Sequence, residues 1–98
     1  MKKVHVDKKV VKGKFIVNND RGLHTRPSTE LVRCASSFRS QVSLTHQKLA
    51  VNAKSLLGVL MLAASKGSKI SVEAEGIDAE EAVQSILDLA KKNFYINY

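Results

Sequence analysis

The feature that most constrains the fold is a seven-residue segment, Lys69–Glu75, in which apolar and polar side chains alternate strictly. Ile70, Val72 and Ala74 share one side of this segment, as the two-residue period of a β-strand requires. A strand of this kind belongs to a sheet with one wet face and one buried face. The rest of the chain must therefore supply helices that cover the buried face.

The other segments supply three strands and three helices. β-prone residues predict a strand over 12–17, and alternation predicts a hairpin from 41–45 and 49–51 with its turn at 46–48. Helical spacing predicts one helix from about Thr25 to Phe38 and another that follows a capping-box-like start at Asp78. Ser55 is a good N-cap for a short helix between them. The predicted order, β-α-β-β-α-β-α, gives an α+β open-faced β-sandwich: a four-stranded antiparallel sheet with three helices on one face.

Length and charge indicate one domain that is preceded by a basic N-terminal extension. The 98 residues are 44% hydrophobic, which suffices for a single core. The formal charge is +7, but six lysines lie within the first fourteen residues, and the other 84 residues carry a net charge of only +2. We therefore predict a basic extension over 1–11 and one domain over 12–98. A small nucleic-acid-binding module remains an alternative class, although neither a broad basic face nor an aromatic stacking platform is evident.

Cysteine use and hydropathy favour a cytoplasmic protein. Cys34 is the only cysteine, so an internal disulfide is excluded, as is usual in a reducing compartment. The longest apolar run, residues 56–64, is interrupted by Gly58 and is far too short to span a bilayer. We expect a cytoplasmic monomer that is not inserted in a membrane.

The candidate functional residues lie in Gly22–Ser28, a segment that spans the end of the loop before the first helix and the first turn of that helix. His24 falls at the helix start, where unpaired main-chain N–H groups and the positive end of the helix dipole favour an anion, above all phosphate. Pro27 suits the first turn, and the planar guanidinium of Arg26 suits a phosphoryl group. A neutral imidazole is nucleophilic. These residue types predict a histidine that carries a phosphoryl group, which the N–H groups of Thr25 and Arg26 help to hold.

Other interpretations of His24 are a solvated turn residue or a helix cap. An autonomous enzyme fits poorly, because no carboxylate is evident to orient the ring and no glycine loop is present to cradle a nucleotide. The pattern indicates no cofactor and no metal, since His5 and His46 lack a partner motif.

Two separated stretches resemble one known family. Residues 22–27, Gly-Leu-His-Thr-Arg-Pro, closely resemble the phosphorylation motif of HPr, the histidine-containing phosphocarrier of the bacterial phosphoenolpyruvate:sugar phosphotransferase system. Residues 51–59 resemble the second motif of that family, and the resemblance extends over about residues 12–92. It implies that His24 accepts a phosphoryl group on Nδ1 from phospho-enzyme I and donates it to a sugar-specific enzyme IIA. The chain departs from the family's usual residues at Arg21, at Ser28 and at Gln47–Lys48.

The second motif implies regulation. Ser55 resembles the serine that HPr kinase/phosphorylase modifies in many Gram-positive-type members, a step of carbon catabolite regulation; the alternative is that Ser55 is only an N-cap. Leu56, Leu57 and Leu60 are expected to contribute to the surface that partners contact. A regulatory phosphoprotein that signals without sugar transport is the alternative function within the family. The aromatic tail, residues 94–98, either packs back on the domain or contacts a partner, and the sequence leaves both open.

Overall fold

A computed structural model describes residues 9–98 and contains four strands, three helices and a short C-terminal turn. The strands are β1 (Val10–Ile16), β2 (Gln41–His46), β3 (Leu49–Asn52) and β4 (Lys69–Glu75). The helices are α1 (Thr25–Ser36), α2 (Leu56–Met61) and α3 (Ala79–Lys91), and the turn is Asn93–Tyr95. The predicted β-α-β-β-α-β-α order is confirmed.

The strands form one antiparallel sheet in the order β1-β4-β2-β3. The alternating strand β4 lies inside the sheet, where Val72 is opposite Gly13 of β1 on one side and Leu44 of β2 on the other. Its apolar side chains are buried and its polar ones mostly exposed, as the alternation predicts. The open-faced α+β sandwich is therefore the observed fold.

One hydrophobic core lies between the sheet and the helices. It takes buried apolar side chains from β1, β2 and β4, from all three helices and from the turn after α3, and Val51 of β3 packs against it partly buried. Its largest fully buried members are Phe94, Leu31, Leu44, Ile70, Ile86, Val17, Val59 and Val72. Within residues 9–98 every helix is too short or too polar to cross a membrane.

Three details of the predicted elements are wrong. β1 begins at Val10, two residues before the predicted start, because Val10 and Val11 extend its pairing with β4. α1 ends at Ser36 rather than near Phe38. The capping box predicted at Asp78 is absent: its carboxylate caps nothing in α3 and instead accepts hydrogen bonds from Arg39 and Ser40 before β2. The remainder of the predicted extension, residues 1–8, lies outside the described residues, and the proposed domain boundary stays a prediction.

Candidate functional site

The loop before α1 is held by a close approach to the end of α2. Gly22 has a φ of 69°, in the left-handed region that favours glycine. A Cβ at this position would lie 2.8 Å from the Cα of Ser65 and closer still to the carbonyl oxygen of Ala64. The next residue, Leu23, is buried and donates its N–H to that same Ala64 oxygen at 2.8 Å. The loop therefore delivers the following residue, His24, to a fixed position at the start of the helix.

His24 is the N-cap residue of α1, as the sequence predicts. Its backbone is extended (φ −75°, ψ −172°), and its imidazole makes no capping hydrogen bond to the helix. Thr25 and Arg26 occupy the first two helical positions, whose N–H groups have no intrahelical acceptor, and the loop hydrogen bonds of residues 9–98 include neither group. Pro27 lacks an N–H, and the first turn contains no acidic residue. Two free N–H donors beside the imidazole thus form the predicted anion-friendly helix start.

Two arginines lie against Tyr98, whose ring stacks on the half-buried imidazole of His24. Arg26 is exposed. Arg21, three residues before His24, is also exposed, and its position against the ring of Tyr98 is a feature that the sequence interpretation missed. Both guanidinium groups lie over the ring of Tyr98, at 5.1 Å for Arg21 and 5.6 Å for Arg26. The site therefore contains two cations that a phosphoryl group could engage.

Tyr98 is, after Arg21, the second residue at this site that the sequence did not predict. Its ring stacks on the imidazole of His24 with 5.3 Å between centroids and 15° between planes. Its main-chain oxygen lies 3.1 Å from Nε2 of His24. The aromatic composition of residues 94–98 was the available signal, and of its two interpretations the structure supports packing against the domain.

Ser55 lies at the far end of α2 from the loop that contains Gly22. It is the N-cap of that helix, and its Oγ accepts a hydrogen bond from the N–H of Gly58 at 3.0 Å. The six residues of α2 separate it by about 9 Å along the helix axis from the end that contacts the loop. Its side chain is half-buried.

The three leucines predicted for partner contact differ in exposure. Leu57 is 70% exposed and Leu56 is 36% exposed, whereas Leu60 is half-buried. Met61, one turn after Leu57, is also largely exposed. Together, Leu56, Leu57 and Met61 form an uncovered apolar edge on α2, the helix that packs beside α1.

The residues that could bind a metal do not cluster. Within the part of the chain that the structure describes, no three histidine, cysteine or acidic side chains come together. His46 is turned toward the end of α2, where its Nδ1 lies 3.1 Å from the carbonyl oxygen of Leu62. His5 lies outside the described residues.

The fold and site are those of a phosphocarrier family. Residues 11–92 match the family described as PTS-HPr, the "PTS HPr component phosphorylation site", and the chain belongs to this HPr family.

Solved structures of HPr proteins are similar over most of the chain. An HPr from Thermoanaerobacter tengcongensis is 35% identical, with a TM-score of 0.85 over 90% of this chain and 99% of that one. The phosphocarrier protein HPr of Bacillus anthracis is 34% identical, with a TM-score of 0.77 over 81% of this chain and 94% of that one. Crh, a catabolite repression protein of Bacillus subtilis that forms a swapped dimer, is 30% identical, with a TM-score of 0.68 over 94% and 93%.

Proposed function

We propose that this chain is a phosphocarrier that receives a phosphoryl group on Nδ1 of His24 from phospho-enzyme I and passes it to an enzyme IIA. The observation that carries the proposal is the position of His24, which caps α1 beside two unpaired N–H donors and stacks on Tyr98, the ring that two arginines contact. The proposed role follows from this geometry together with membership of the HPr family. The exchange would take place in the cytoplasm, with the chain acting as a monomer.

The geometry favours a carrier over a catalyst. A phosphoryl group on Nδ1 would meet the N–H groups of Thr25 and Arg26 and the positive end of the α1 dipole. Among residues 9–98, no aspartate or glutamate side chain forms a hydrogen bond with the imidazole of His24, whose Nε2 contacts the main-chain oxygen of Tyr98 instead. The site is open to solvent on the side of Arg26, so a donor and then an acceptor protein could reach the same nitrogen in turn.

Incubation with enzyme I and phosphoenolpyruvate tests the proposal. We expect an acid-labile phosphate on the wild-type chain, which is lost in His24→Ala. The matched control is His46→Ala, whose ring faces the end of α2 and should leave phosphorylation intact. Absence of transfer to the wild type, with an enzyme I that phosphorylates another HPr, would refute the carrier role.

We further propose that Ser55 is a regulatory phosphorylation site for an HPr kinase/phosphorylase. A phosphoserine would keep the N-cap position, where the helix dipole favours negative charge, and the fold would not need to change. It would add about two negative charges beside the apolar edge of α2. We propose that Leu56, Leu57 and Leu60 belong to the partner surface, so this charge would weaken the docking of an acidic partner.

Two N-cap substitutions separate the charge at Ser55 from its structural role. Aspartate and asparagine both cap helices well, so Ser55→Asp and Ser55→Asn should retain the stability of the wild type to within about 0.5 kcal/mol. Only Ser55→Asp adds charge, and we expect it to raise the KM for enzyme I about threefold to tenfold at low salt. Equal KM values for the two variants would contradict the proposed regulation.

A regulatory phosphoprotein without a part in sugar transport is the second candidate. The similarity to Crh, whose name refers to catabolite repression, is the specific observation that favours it. The two functions differ in what the phosphorylated chain does next. Transfer of the phosphate from His24 to an enzyme IIA supports the carrier, whereas a chain modified only on Ser55 by the kinase supports the regulator.

A further inference from the structure

The tail after α3, residues 93–98, adopts a backbone conformation that its sequence alone would not favour. Asn93, Phe94 and Tyr95 have consecutive φ values of 53°, 56° and 61°, in the left-handed region that non-glycine residues rarely adopt. Such a turn persists only where its surroundings hold it. The main holding contact is the ring of Phe94, which is fully buried and packs edge-to-face on Phe15 of β1 with 5.7 Å between centroids.

The loop before His24 clamps the same tail. Asn19 is buried, and its Nδ2 donates hydrogen bonds to the main-chain oxygens of Asn93 and Ile96, both at 3.0 Å. Three residues later in the chain, the N–H of Gly22 donates to the main-chain oxygen of Asn19. One loop thus fixes the tail on one side and positions the candidate phosphoacceptor on the other.

The clamped tail ends with Tyr98 on the imidazole of His24. Besides the stacking of the two rings, the main-chain oxygen of Tyr98 is within hydrogen-bond distance of both Nε2 of His24 (3.1 Å) and the N–H of Arg21 (3.3 Å). The guanidinium groups of Arg21 and Arg26 lie over the tyrosine ring. Five separate contacts therefore converge on this one residue.

The contact at Nε2 selects one tautomer of His24. A main-chain oxygen only accepts hydrogen bonds, so Nε2 must donate and must carry the proton. The lone pair of the neutral ring is then on Nδ1. We propose that Tyr98 is a positioning residue that holds His24 in the orientation and tautomer in which Nδ1 is the nucleophile; this inference rests on the proposed carrier function.

The proposed step balances without a general base. The Nδ1 lone pair forms the new N–P bond, and the bond between phosphorus and the donor atom breaks, with its electron pair leaving on the donor. Nε2 keeps its proton throughout. Because the lone pair of Nδ1 points along the plane of the imidazole, a ring stacked on its face leaves the direction of attack open, which favours positioning over obstruction.

Four variants test the proposal. Tyr98→Ala removes the stacked ring but keeps the main-chain oxygen that contacts Nε2, deletion of Tyr98 removes both, and Tyr98→Phe keeps both. Tyr95→Ala removes another tail aromatic, one that is 66% exposed and whose ring is near Lys92 instead of His24. The first measurement is the ¹⁵N NMR spectrum of the neutral imidazole, which reports the proton on each nitrogen. The second is the rate of phosphorylation by phospho-enzyme I, resolved into kcat and KM.

We expect the proton to reside on Nε2 in the wild type, Tyr98→Phe, Tyr98→Ala and Tyr95→Ala, and to be shared between both nitrogens when Tyr98 is deleted. In that variant kcat should fall about threefold to tenfold, while KM changes less than about twofold. An unchanged tautomer and kcat after deletion of Tyr98 would overturn the proposal, as would a rise in kcat, which would make the tail an obstruction. If the wild type accepts no phosphate, the carrier function fails, and the tautomer measurement still decides whether Tyr98 holds His24.

Discussion

The guanidinium of Arg26 lies 5.6 Å from the ring centroid of Tyr98, and no carboxylate among residues 9–98 forms an ion pair with it. An exposed cation–π contact contributes about 0.5–1 kcal/mol. A hydrogen bond to a charged group contributes about 1.5–3 kcal/mol. The proposed phosphoryl group on His24 would therefore offer Arg26 the stronger interaction, and the arginine would leave the tyrosine ring for it at small cost.

Arg26→Ala should slow phosphoryl transfer without unfolding the domain. Loss of one charge-assisted contact predicts a fall in kcat/KM for enzyme I of about tenfold to a hundredfold. The matched control is Arg33→Ala, which removes another exposed arginine from the last turn of the same helix, where its partner is Glu30. Equal rates for the two variants would show that Arg26 does not contact the phosphoryl group.

Gly22→Ala should destabilise the domain more than Gly67→Ala does. Both glycines have positive φ values, 69° and 91°, so each alanine incurs the left-handed penalty of about 1–2 kcal/mol. Only at Gly22 would the Cβ also collide with main-chain atoms, because the space around Gly67 is open. We expect unfolding free energies, measured in urea, to fall by about 2–5 kcal/mol for Gly22→Ala. Equal losses at the two positions would contradict the close approach of the loop to Ala64.

The sequence predicts those parts of this fold that are encoded locally. The alternation of Ile70, Val72 and Ala74 is a property of neighbouring residues, and it identified the strand at the interior of the sheet. Ser55 was identified in the same way, since an N-cap depends only on the residues that follow it. His24 was found because its helix start, its arginine and its proline lie within four consecutive residues.

The parts that sequence analysis missed are contacts between distant residues. Tyr98 is 74 positions from His24, and the path between them passes through a left-handed turn that no local preference signals. Asp78 resembled a capping residue by its spacing, but a tertiary contact with Ser40, 38 positions earlier, competed successfully for its carboxylate. Such pairings depend on how the loops meet once the sheet and helices have packed.

Stability at acidic pH should depend on Asp78. Hydrogen bonds from the side chain of Ser40 and the N–H of Arg39 lower the pKa of this carboxyl from 3.8 to about 2. Because folding favours the ionised form, this contribution is complete above the unfolded value of 3.8 and is lost as the pH falls through about 2. The unfolding free energy of Asp78→Asn should therefore decline less steeply over that interval.

The control is Asp88→Asn, which changes an exposed carboxylate that accepts a hydrogen bond from Gln84 within α3, and it should follow the wild type. Parallel curves for all three proteins would contradict the assignment.

Leu57→Ser should weaken docking while leaving the fold intact. Leu57 is 70% exposed on α2, so its removal should change the unfolding free energy by no more than about 0.5 kcal/mol. If a partner covers Leu57, the variant should lose about 1–2 kcal/mol of binding free energy, which raises the KM for enzyme I about fivefold to thirtyfold. The value of kcat should not change, because the contact persists through the reaction. Leu49→Ser, at an exposed leucine on the edge strand β3, is the matched control and should alter neither constant. A similar KM in both variants would exclude Leu57 from the docking surface, and a fall in kcat alone would mean that Leu57 supports the reacting geometry of His24 instead.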